Sequence, residues 1–303
     1  MYIGQVQRRA AHPSASVWEA ELAWELRSSA VRIALLRLTM REQLAMTEIP
    51  KTPWALAAAA VLAGESLLAN VVDFTQPYDV DANTVALYHL DGGAGDKVGN
   101  HDGALLGDAG FGDGRFGQGL VLDGDGDYVR IGNVHKDPAR DTTEGTVEAW
   151  FMLDWAPSHF VLLASGWEYG ETWDSGFFLG RHGDYGASLM FGMWGPEWYY
   201  AHSGIDPASL IGRWHHAAGT WGPDGVELFL DGELVAANPF TGGVQDPDYD
   251  TALIGTDSWR WDTPGRLDEV RISDVQRDLV PEPSCAALLL LGLAAAARRR
   301  LRK

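Results

Sequence analysis

The fold is decided by residues 114–132, which read GRFGQGLVLDGDGDYVRIG. Two short apolar runs in this stretch alternate with other side chains at a period of two, which is typical of half-buried β-strands. Leu120 and Leu122 belong to the first run, and Val129 and Ile131 belong to the second. Between them, the sequence DGDGD carries no apolar side chain, and Asp and Gly tolerate the positive φ angles of a tight reversal. We therefore predict a strand, a turn and a second strand.

The same pattern of short β-runs separated by Gly, Asp, Asn and Pro extends from residue 84 to residue 272. The clearest run is GTVEAWFML at 145–153, in which Val147, Ala149, Phe151 and Leu153 share one face. Asp231-Gly232 predicts a two-residue hairpin turn. No long helical period occurs inside this region, so the predicted fold class is all-β, a two-sheet antiparallel sandwich.

Four phrases, in this order, resemble the laminin-G-like branch of the concanavalin A-like jelly-roll family. They are VALYHLD from residue 85, the 114–132 stretch, WHHAAGTW from residue 214 continuing into LFLDGEL, and GRLDEVRI from residue 265. The resemblance covers about residues 83–279 and implies a jelly-roll domain there. Because members of this family bind very different partners, the ligand has to be argued from the site.

Composition excludes several kinds of site. The formal net charge is −19 and the sequence pI is about 4.7, which argues against a nucleic-acid partner and suits a surface protein or a binder of divalent cations. Cys285 is the single cysteine, so an intramolecular disulfide and a thiolate metal cluster are both excluded. A bound cation is the natural alternative to a disulfide as a stabilising cross-link.

The N-terminal part differs from the rest. Residues 1–45 are rich in Arg, Leu and Ala and form an extension before a second start-like Met46. Residues 46–69 combine a basic residue, an apolar run and small residues, which predicts a helical secretory signal peptide. The alternative for 46–69 is a buried helix of the domain. We expect translation to begin near Met46, which would make 1–45 a mis-called start; a genuine cytoplasmic leader is the alternative for 1–45. Residues 70–82 are interpreted as a linker.

The C-terminal residues 280–303 contain VPEPS, an apolar run at 285–297 and the basic end RRRLRK. These parts are similar to the PEP-CTERM sorting signal, which implies processing by a membrane-bound exosortase in a Gram-negative bacterium. As a helix the apolar run reaches about 20 Å, short of the roughly 30 Å hydrocarbon core, which predicts transient membrane anchoring. The basic end stays in the cytoplasm, so the domain is expected at the cell surface or outside the cell. An ordinary tail anchor is the alternative.

A structural Ca²⁺ is implied by the family resemblance. In LDEVRI, strand alternation predicts that Asp268 lies on the same face as Val270 and Ile272, and a buried carboxylate needs a partner or a metal. The resemblance carries a Ca²⁺ onto this last-strand Asp268, with Asp91 and Gly124 as helpers. Pairing of Asp268 with an arginine or with backbone amides is the alternative.

Asp127 is a further candidate ligand, because DGDGD resembles the first half of an EF-hand loop. Val134 stands where the EF-hand would require its last Glu, so a true EF-hand is not predicted. The alternative is that these residues only reverse the chain.

Aromatic residues indicate a ligand surface. They crowd one third of the domain, in stretches that we interpret as Gly-, Glu- and Pro-containing loops, where binding residues gather. Flat rings stack on the C–H face of a sugar, so we predict carbohydrate contacts from Trp167, Trp173, Trp194, Trp198 and Tyr199. Filling of the core between the sheets is the alternative use of such rings.

No catalytic motif stands out. The Glu-x-Asp-x-x-Glu run of related laminarinases and the Gly-x-Ser-x-Gly of serine hydrolases are both missing from the sequence. His215 and His216 are adjacent on a predicted strand and point to opposite faces, so they do not suit one metal. We predict a non-enzymatic protein that recognises polysaccharide or another matrix component. A protein-adhesion or structural matrix module is the first alternative, and a divergent glycoside hydrolase using loop carboxylates such as Glu171 or Glu197 is the second.

Overall fold

The computed structural model describes residues 73–132, 134, 143–165, 176–244, 251–257 and 259–279. The predicted extension 1–45, signal peptide 46–69 and sorting segment 280–303 lie outside them. Within the described residues, two 3-10 turns (Gly183–Tyr185 and Pro207–Leu210) are the helical elements, and none is long and apolar enough to cross a membrane. Fifteen strands make up the rest of the regular structure: β1 Thr84–Tyr88, β2 Ala104–Leu106, β3 Gly110–Asp113, β4 Gln118–Asp123, β5 Tyr128–Gly132, β6 Gly145–Leu153, β7 Phe160–Ser165, β8 Phe177–Arg181, β9 Leu189–Trp194, β10 Trp198–His202, β11 His215–Trp221, β12 Val226–Leu230, β13 Glu233–Asn238, β14 Thr251–Ile254 and β15 Pro264–Ser273.

The strands form two antiparallel sheets, which confirms the predicted all-β sandwich. In the described part of the chain, sheet 1 has the order β13-β12-β11-β6-β15-β4-β3, and β1 pairs with the far half of β15. Sheet 2 has the order β10-β9-β8-β7-β14-β5-β2. Neighbours in the sheets are often distant in sequence, as expected for a jelly roll.

The core between the sheets contains the residues that the sequence pattern selects. Leu120 and Leu122 of β4 and Val129 and Ile131 of β5 are all buried in it. The four predicted inward residues of β6 are buried there too, so this prediction is confirmed. The Asp231-Gly232 hairpin is also confirmed, since both residues have positive φ, 51° and 80°, as a type I′ turn requires.

Three strands, β2, β3 and β10, were not predicted. The first two are short and Gly-containing or exposed, with no clear alternation. The third, Trp198–His202, falls in a stretch that we interpreted as an aromatic loop. Instead, β9 and β10 form a hairpin in which Trp198 pairs with Trp194, so that interpretation is corrected.

The last strand contains a bulge that changes which face Asp268 occupies. Its register with β6 shifts between Asp268 and Arg271, and Glu269 adopts a left-handed φ of 50°. Val270 and Ile272 point into the core between the sheets, whereas Asp268 lies opposite Trp150, whose ring is on the outer face of sheet 1. The prediction that Asp268 shares a face with Val270 is therefore wrong, because the extra residue of a bulge reverses the alternation. The carboxylate is nevertheless fully buried.

The outer face of sheet 1 holds a buried ion pair. The Arg271 Nε donates to Glu148 Oε1 at 2.8 Å, and the His216 Nε2 lies 3.1 Å from Glu148 Oε2. Burial alone would raise the pKa of Glu148, but the Arg271 guanidinium and His216 outweigh it and lower the pKa to about 2. His215, on the opposite face, contacts Asp231 instead, as the predicted alternation requires.

Residues that we interpreted as a linker cover this ion pair. The Phe74 ring lies 4.5 Å from the His216 ring, and the Arg271 guanidinium lies 4.1 Å from the centre of the Tyr78 ring. The Tyr78 N–H donates to Glu269 Oε2 at 2.9 Å. Part of the 70–82 segment is thus packed on the domain, and it keeps water from the charges beneath.

Glu148→Gln tests the ion pair. The substitution leaves Arg271 buried without a counter-charge, so we expect it to lower the free energy of unfolding by about 3–5 kcal/mol at neutral pH. Because the folded-state pKa of Glu148 is below its unfolded value of about 4.3, the ion-pair contribution is complete above that pH. It is lost as the pH falls toward about 2. Urea titrations across this range should show that the difference in the free energy of unfolding between variant and wild type becomes smaller as the pH falls.

The control is Glu233→Gln on the exposed strand β13. We expect it to change the free energy of unfolding by no more than about 0.5 kcal/mol, both at neutral pH and at the acid end of the range. Equal unfolding midpoints for Glu148→Gln and Glu233→Gln at neutral pH would contradict the role given to the pair.

Candidate functional site

The outer face of sheet 2 carries half-buried aromatic rings. On the edge strand β10, Trp198 and Tyr200 point to this outer face, their ring planes are parallel within 5° and their centroids are 5.7 Å apart. Trp194, across the hairpin, meets Trp198 edge-on at 5.8 Å. With Trp261 from the loop before β15, which packs on the same cluster, these residues make up what we call the aromatic face: Trp194, Trp198, Tyr200 and Trp261.

A glycine allows Tyr200 to lie close to the sheet. Gly192 of β9 pairs with Tyr200, and a Cβ on Gly192 would lie only 2.6 Å from the Tyr200 ring. The ring therefore occupies the space that any other side chain at this position would fill. Buried apolar residues, Phe178 and Met190 among them, form the floor beneath.

Trp261 is held by a buried carboxylate. Asp257 Oδ1 accepts hydrogen bonds from the backbone N–H groups of Trp259 and Trp261, at 2.9 and 3.2 Å. Burial, together with the charge of Asp262, raises the pKa of Asp257 to about 7 despite these bonds. Trp259 is 44% exposed and stacks toward Trp261, with centroids 6.4 Å apart. One carboxylate thus positions both rings of this loop.

Two histidines border the aromatic face. The His159 ring stacks on Trp261 with centroids 4.5 Å apart, and the His182 ring meets Trp261 edge-on at 4.3 Å. Burial and the nearby His159 lower the pKa of His182 to about 4. The His182 ring is therefore neutral at neutral pH.

Asp268 and Asp91 both bind the turn that precedes β4. Asp268 Oδ2 accepts the Phe116 N–H at 2.8 Å, and Asp91 Oδ1 accepts the Gln118 N–H at 2.7 Å. Asp268 Oδ1 also accepts the Glu269 N–H. Burial, reinforced by the charge of Glu269, raises the pKa of Asp268 to about 7. Both oxygens of Asp268 therefore contact backbone amides, which were one of the two alternatives to a metal. A nearby cation would favour the ionised form of Asp268.

Asp127 and Gly124 lie in the turn that follows β4. Asp127 is buried, and its two oxygens accept the N–H groups of Asp108 and Asp123 at 2.8 and 3.1 Å. Carboxylate oxygens of these three aspartates lie within 4.8 Å of one another. Gly124 has a φ of 84°, which the reversal requires. Oxygen-only donors in a partly exposed turn are of the type that Ca²⁺ prefers.

The four predicted metal residues therefore fall into two pairs. Asp268 and Asp91 contact one end of β4, whereas Asp127 and Gly124 lie beyond its other end. The six residues of β4 span roughly 20 Å. A single ion cannot bind both pairs.

A sequence-family comparison decides the classification of this sandwich. A laminin-G family model, described as "Concanavalin A-like lectin/glucanases superfamily", matches residues 123–278. This is just over half of the 303 residues. The chain belongs to this superfamily. No curated protein matches the sequence significantly.

Several solved structures are similar to this chain at low sequence identity. Domain 4 of AbnA, an extracellular arabinanase of Geobacillus stearothermophilus solved with arabinotriose, is 18% identical over 66% of this chain and 96% of that one, with a TM-score of 0.52. The binding domain of Paraclostridial Mosquitocidal Protein 1 is 12% identical over 65% and 50% of the chains, with a TM-score of 0.49. Domains LG4-5 of the mouse laminin alpha1 chain are 18% identical over 52% and 41%, with a TM-score of 0.39. This chain covers half or less of the length of the mosquitocidal binding domain and of the laminin domains.

The structure brings only some of the predicted carbohydrate-binding residues together on one face of this superfamily sandwich. Trp194 and Trp198 lie together on the aromatic face. Tyr199 points the opposite way and stacks on Phe240 at 3.6 Å beside the core, so the structure does not bring it to that face. Trp167 and Trp173 lie outside the described residues.

Tyr200 belongs to the crowded aromatic stretch but was not among its predicted sugar contacts, and Trp261 and the two histidines were not selected from the sequence. Tyr200 follows Trp198 by two residues, so a strand interpretation of this stretch would have placed both rings on one face. Trp261 is remote in sequence and reaches the face through a loop organised by Asp257. The sequence carries no local signal for that contact.

Proposed function

We propose that this superfamily domain is a non-enzymatic binding module that recognises a polysaccharide on its aromatic face. The observation that carries the proposal is the pair of parallel, half-buried rings of Trp198 and Tyr200 on an outer sheet surface. The exposed part of an aromatic ring on a sheet surface can stack on the C–H face of a sugar. Amphipathic rings of this kind supply large contact area with little loss of side-chain entropy.

The charge of the chain narrows the ligand class. At a formal net charge of −19, an acidic polymer would be repelled at low ionic strength. A neutral polysaccharide fits this surface best. That a domain of the same fold was solved with arabinotriose is compatible with the proposal, as an analogy of fold alone.

The experiment is a polysaccharide microarray followed by calorimetry with a retained glycan. Anchor aromatic residues at interfaces are worth about 2 kcal/mol or more, so Trp198→Ala and Tyr200→Ala should each weaken binding by about 30-fold or more. The matched control is Trp214→Ala, which removes a half-buried tryptophan from the outer face of sheet 1. It should leave the affinity unchanged.

Three results would count against the proposal. If no glycan is retained, with or without Ca²⁺, the protein-adhesion or structural matrix module is favoured. If reducing sugar is released from a glycan and the release is lost in Glu197→Gln or Glu171→Gln, the protein is a glycoside hydrolase. Equal losses of affinity in Trp198→Ala and Trp214→Ala would argue against the aromatic face.

We also propose that the protein is exported and acts at the cell surface or in the extracellular matrix. The signal-like residues 46–69 and the sorting-like residues 280–303 support this, with processing by an exosortase-type enzyme and transient anchoring through the C-terminal run. Both segments lie outside the described residues, so the support comes from the sequence. A polysaccharide ligand is consistent with that location.

For Ca²⁺ we propose a structural role at one of the two acidic turns. A chelator should then lower the melting temperature of the wild-type protein, because an ion that binds only the folded state stabilises it. Loss of the shift in Asp268→Asn would place the ion at the turn before β4. Loss of the shift in Asp108→Asn would place it at the turn after β4, because this variant keeps the main-chain N–H bond to Asp127. An unchanged wild-type melting curve with chelator would remove Ca²⁺ from the proposal.

A further inference from the structure

Three side chains at one end of sheet 2 converge without belonging to either acidic turn. His159 directly precedes β7 and His182 directly follows β8, and the pairing of Phe160 with Arg181 brings them side by side. Asp184 lies two residues further on, in the first 3-10 turn. One ligand atom from each of His159, His182 and Asp184 lies within 4.8 Å of the other two. The ring centroids of the two histidines are 5.1 Å apart.

The orientation of His159 suits a metal ligand. Its Nδ1 lies 3.0 Å from the Ser158 hydroxyl, which can accept the Nδ1–H and leave the lone pair on Nε2. The His159 Nε2 is buried, makes no hydrogen bond and lies 3.9 Å from Asp184 Oδ2. A buried ring nitrogen aimed at a second imidazole and a carboxylate is an arrangement that an ion would satisfy.

The local backbone is shaped to bring the three groups together. Gly183 lies between His182 and Asp184, and a Cβ there would lie 2.9 Å from the Ser158 carbonyl oxygen and 3.1 Å from His159 Cε1. The Arg181 Nη1 donates to the Pro157 carbonyl at 2.8 Å, which ties the β6–β7 loop to the end of β8. The two histidines are thus held on strand ends, which are the rigid part of a sandwich.

We propose that His159, His182 and Asp184 form a binding site for a divalent transition-metal ion, with Zn²⁺ or Cu²⁺ as the class of ligand. Two imidazoles and one carboxylate select such ions over Ca²⁺, which prefers oxygen donors. Three protein ligands leave one tetrahedral position open. The side chain of Asp184 is 84% exposed, so the site opens to solvent there. Because both imidazoles contact Trp261, the ion would lie at the border of the aromatic face.

The test uses the full chain without an oligohistidine tag, stripped with a chelator and titrated with Zn²⁺ by calorimetry near neutral pH. Outer-shell partners are worth about 10–100-fold in metal affinity. Loss of a ligand in His159→Ala or His182→Ala should therefore weaken one Zn²⁺ site by at least about 100-fold. The matched control is His202→Ala, which removes an exposed histidine of β10 outside the cluster. It should bind Zn²⁺ like the wild type.

A second readout does not depend on the ligand variants folding. Cu²⁺ bound beside Trp261 should quench its fluorescence, and chelator should restore it. Trp261→Phe should keep the metal stoichiometry and lose the quenched component. Cu²⁺ quenching that is equal in wild type and Trp261→Phe, or Zn²⁺ binding by His159→Ala/His182→Ala that equals that of His202→Ala, would overturn the proposal. Neither readout involves a glycan, so the outcome is independent of the proposed function.

Discussion

The ion pair between Glu148 and Arg271 is the interaction on which the rest of the domain depends. It joins β6 to β15 at the centre of sheet 1, and its two residues are 123 positions apart in the sequence. Two charges taken out of water are tolerated only when they meet with good geometry. A one-residue slip of β15 would separate them, because it would move Arg271 to the other face of the sheet. The pair therefore fixes the register of the strand that also holds β4 and β1 in place.

The bulge in β15 accounts for the electrostatics beside this pair. The left-handed Glu269 turns its carboxylate toward the Tyr78 N–H and His89, while Asp268 turns toward the Gly-rich turn before β4. Two adjacent acidic groups are thereby buried on one side of the sheet, and burial raises the pKa of each. Backbone N–H groups, rather than a second arginine, contact Asp268. Asp268 is therefore a candidate for cation binding because of where it is buried, as well as because of its charge.

Alternation of apolar residues was sufficient to predict the strands whose inner faces fill the core, such as β4, β5 and β6. It failed where another feature sets the structure. The strand β10 consists of aromatic residues on both faces, so no period-two pattern distinguishes it from a loop. The face of Asp268 depends on a bulge stabilised by the remote Tyr78. His159 and His182 become neighbours only through the pairing of β7 with β8, which no local pattern specifies.

The two outer faces of the sandwich differ in how they are covered, and this difference limits where a ligand can bind. On sheet 1, Phe74 and Tyr78 lie over the buried charges, and removing them would expose an ion pair that water would weaken. On sheet 2, the outer face is covered by side chains of the sheet itself, Trp198 and Tyr200, which lie over Gly192. Such rings cover the apolar floor while leaving part of their own surface exposed. A ligand can therefore be accepted on sheet 2 without displacing any described segment, whereas on sheet 1 it would have to compete with the chain.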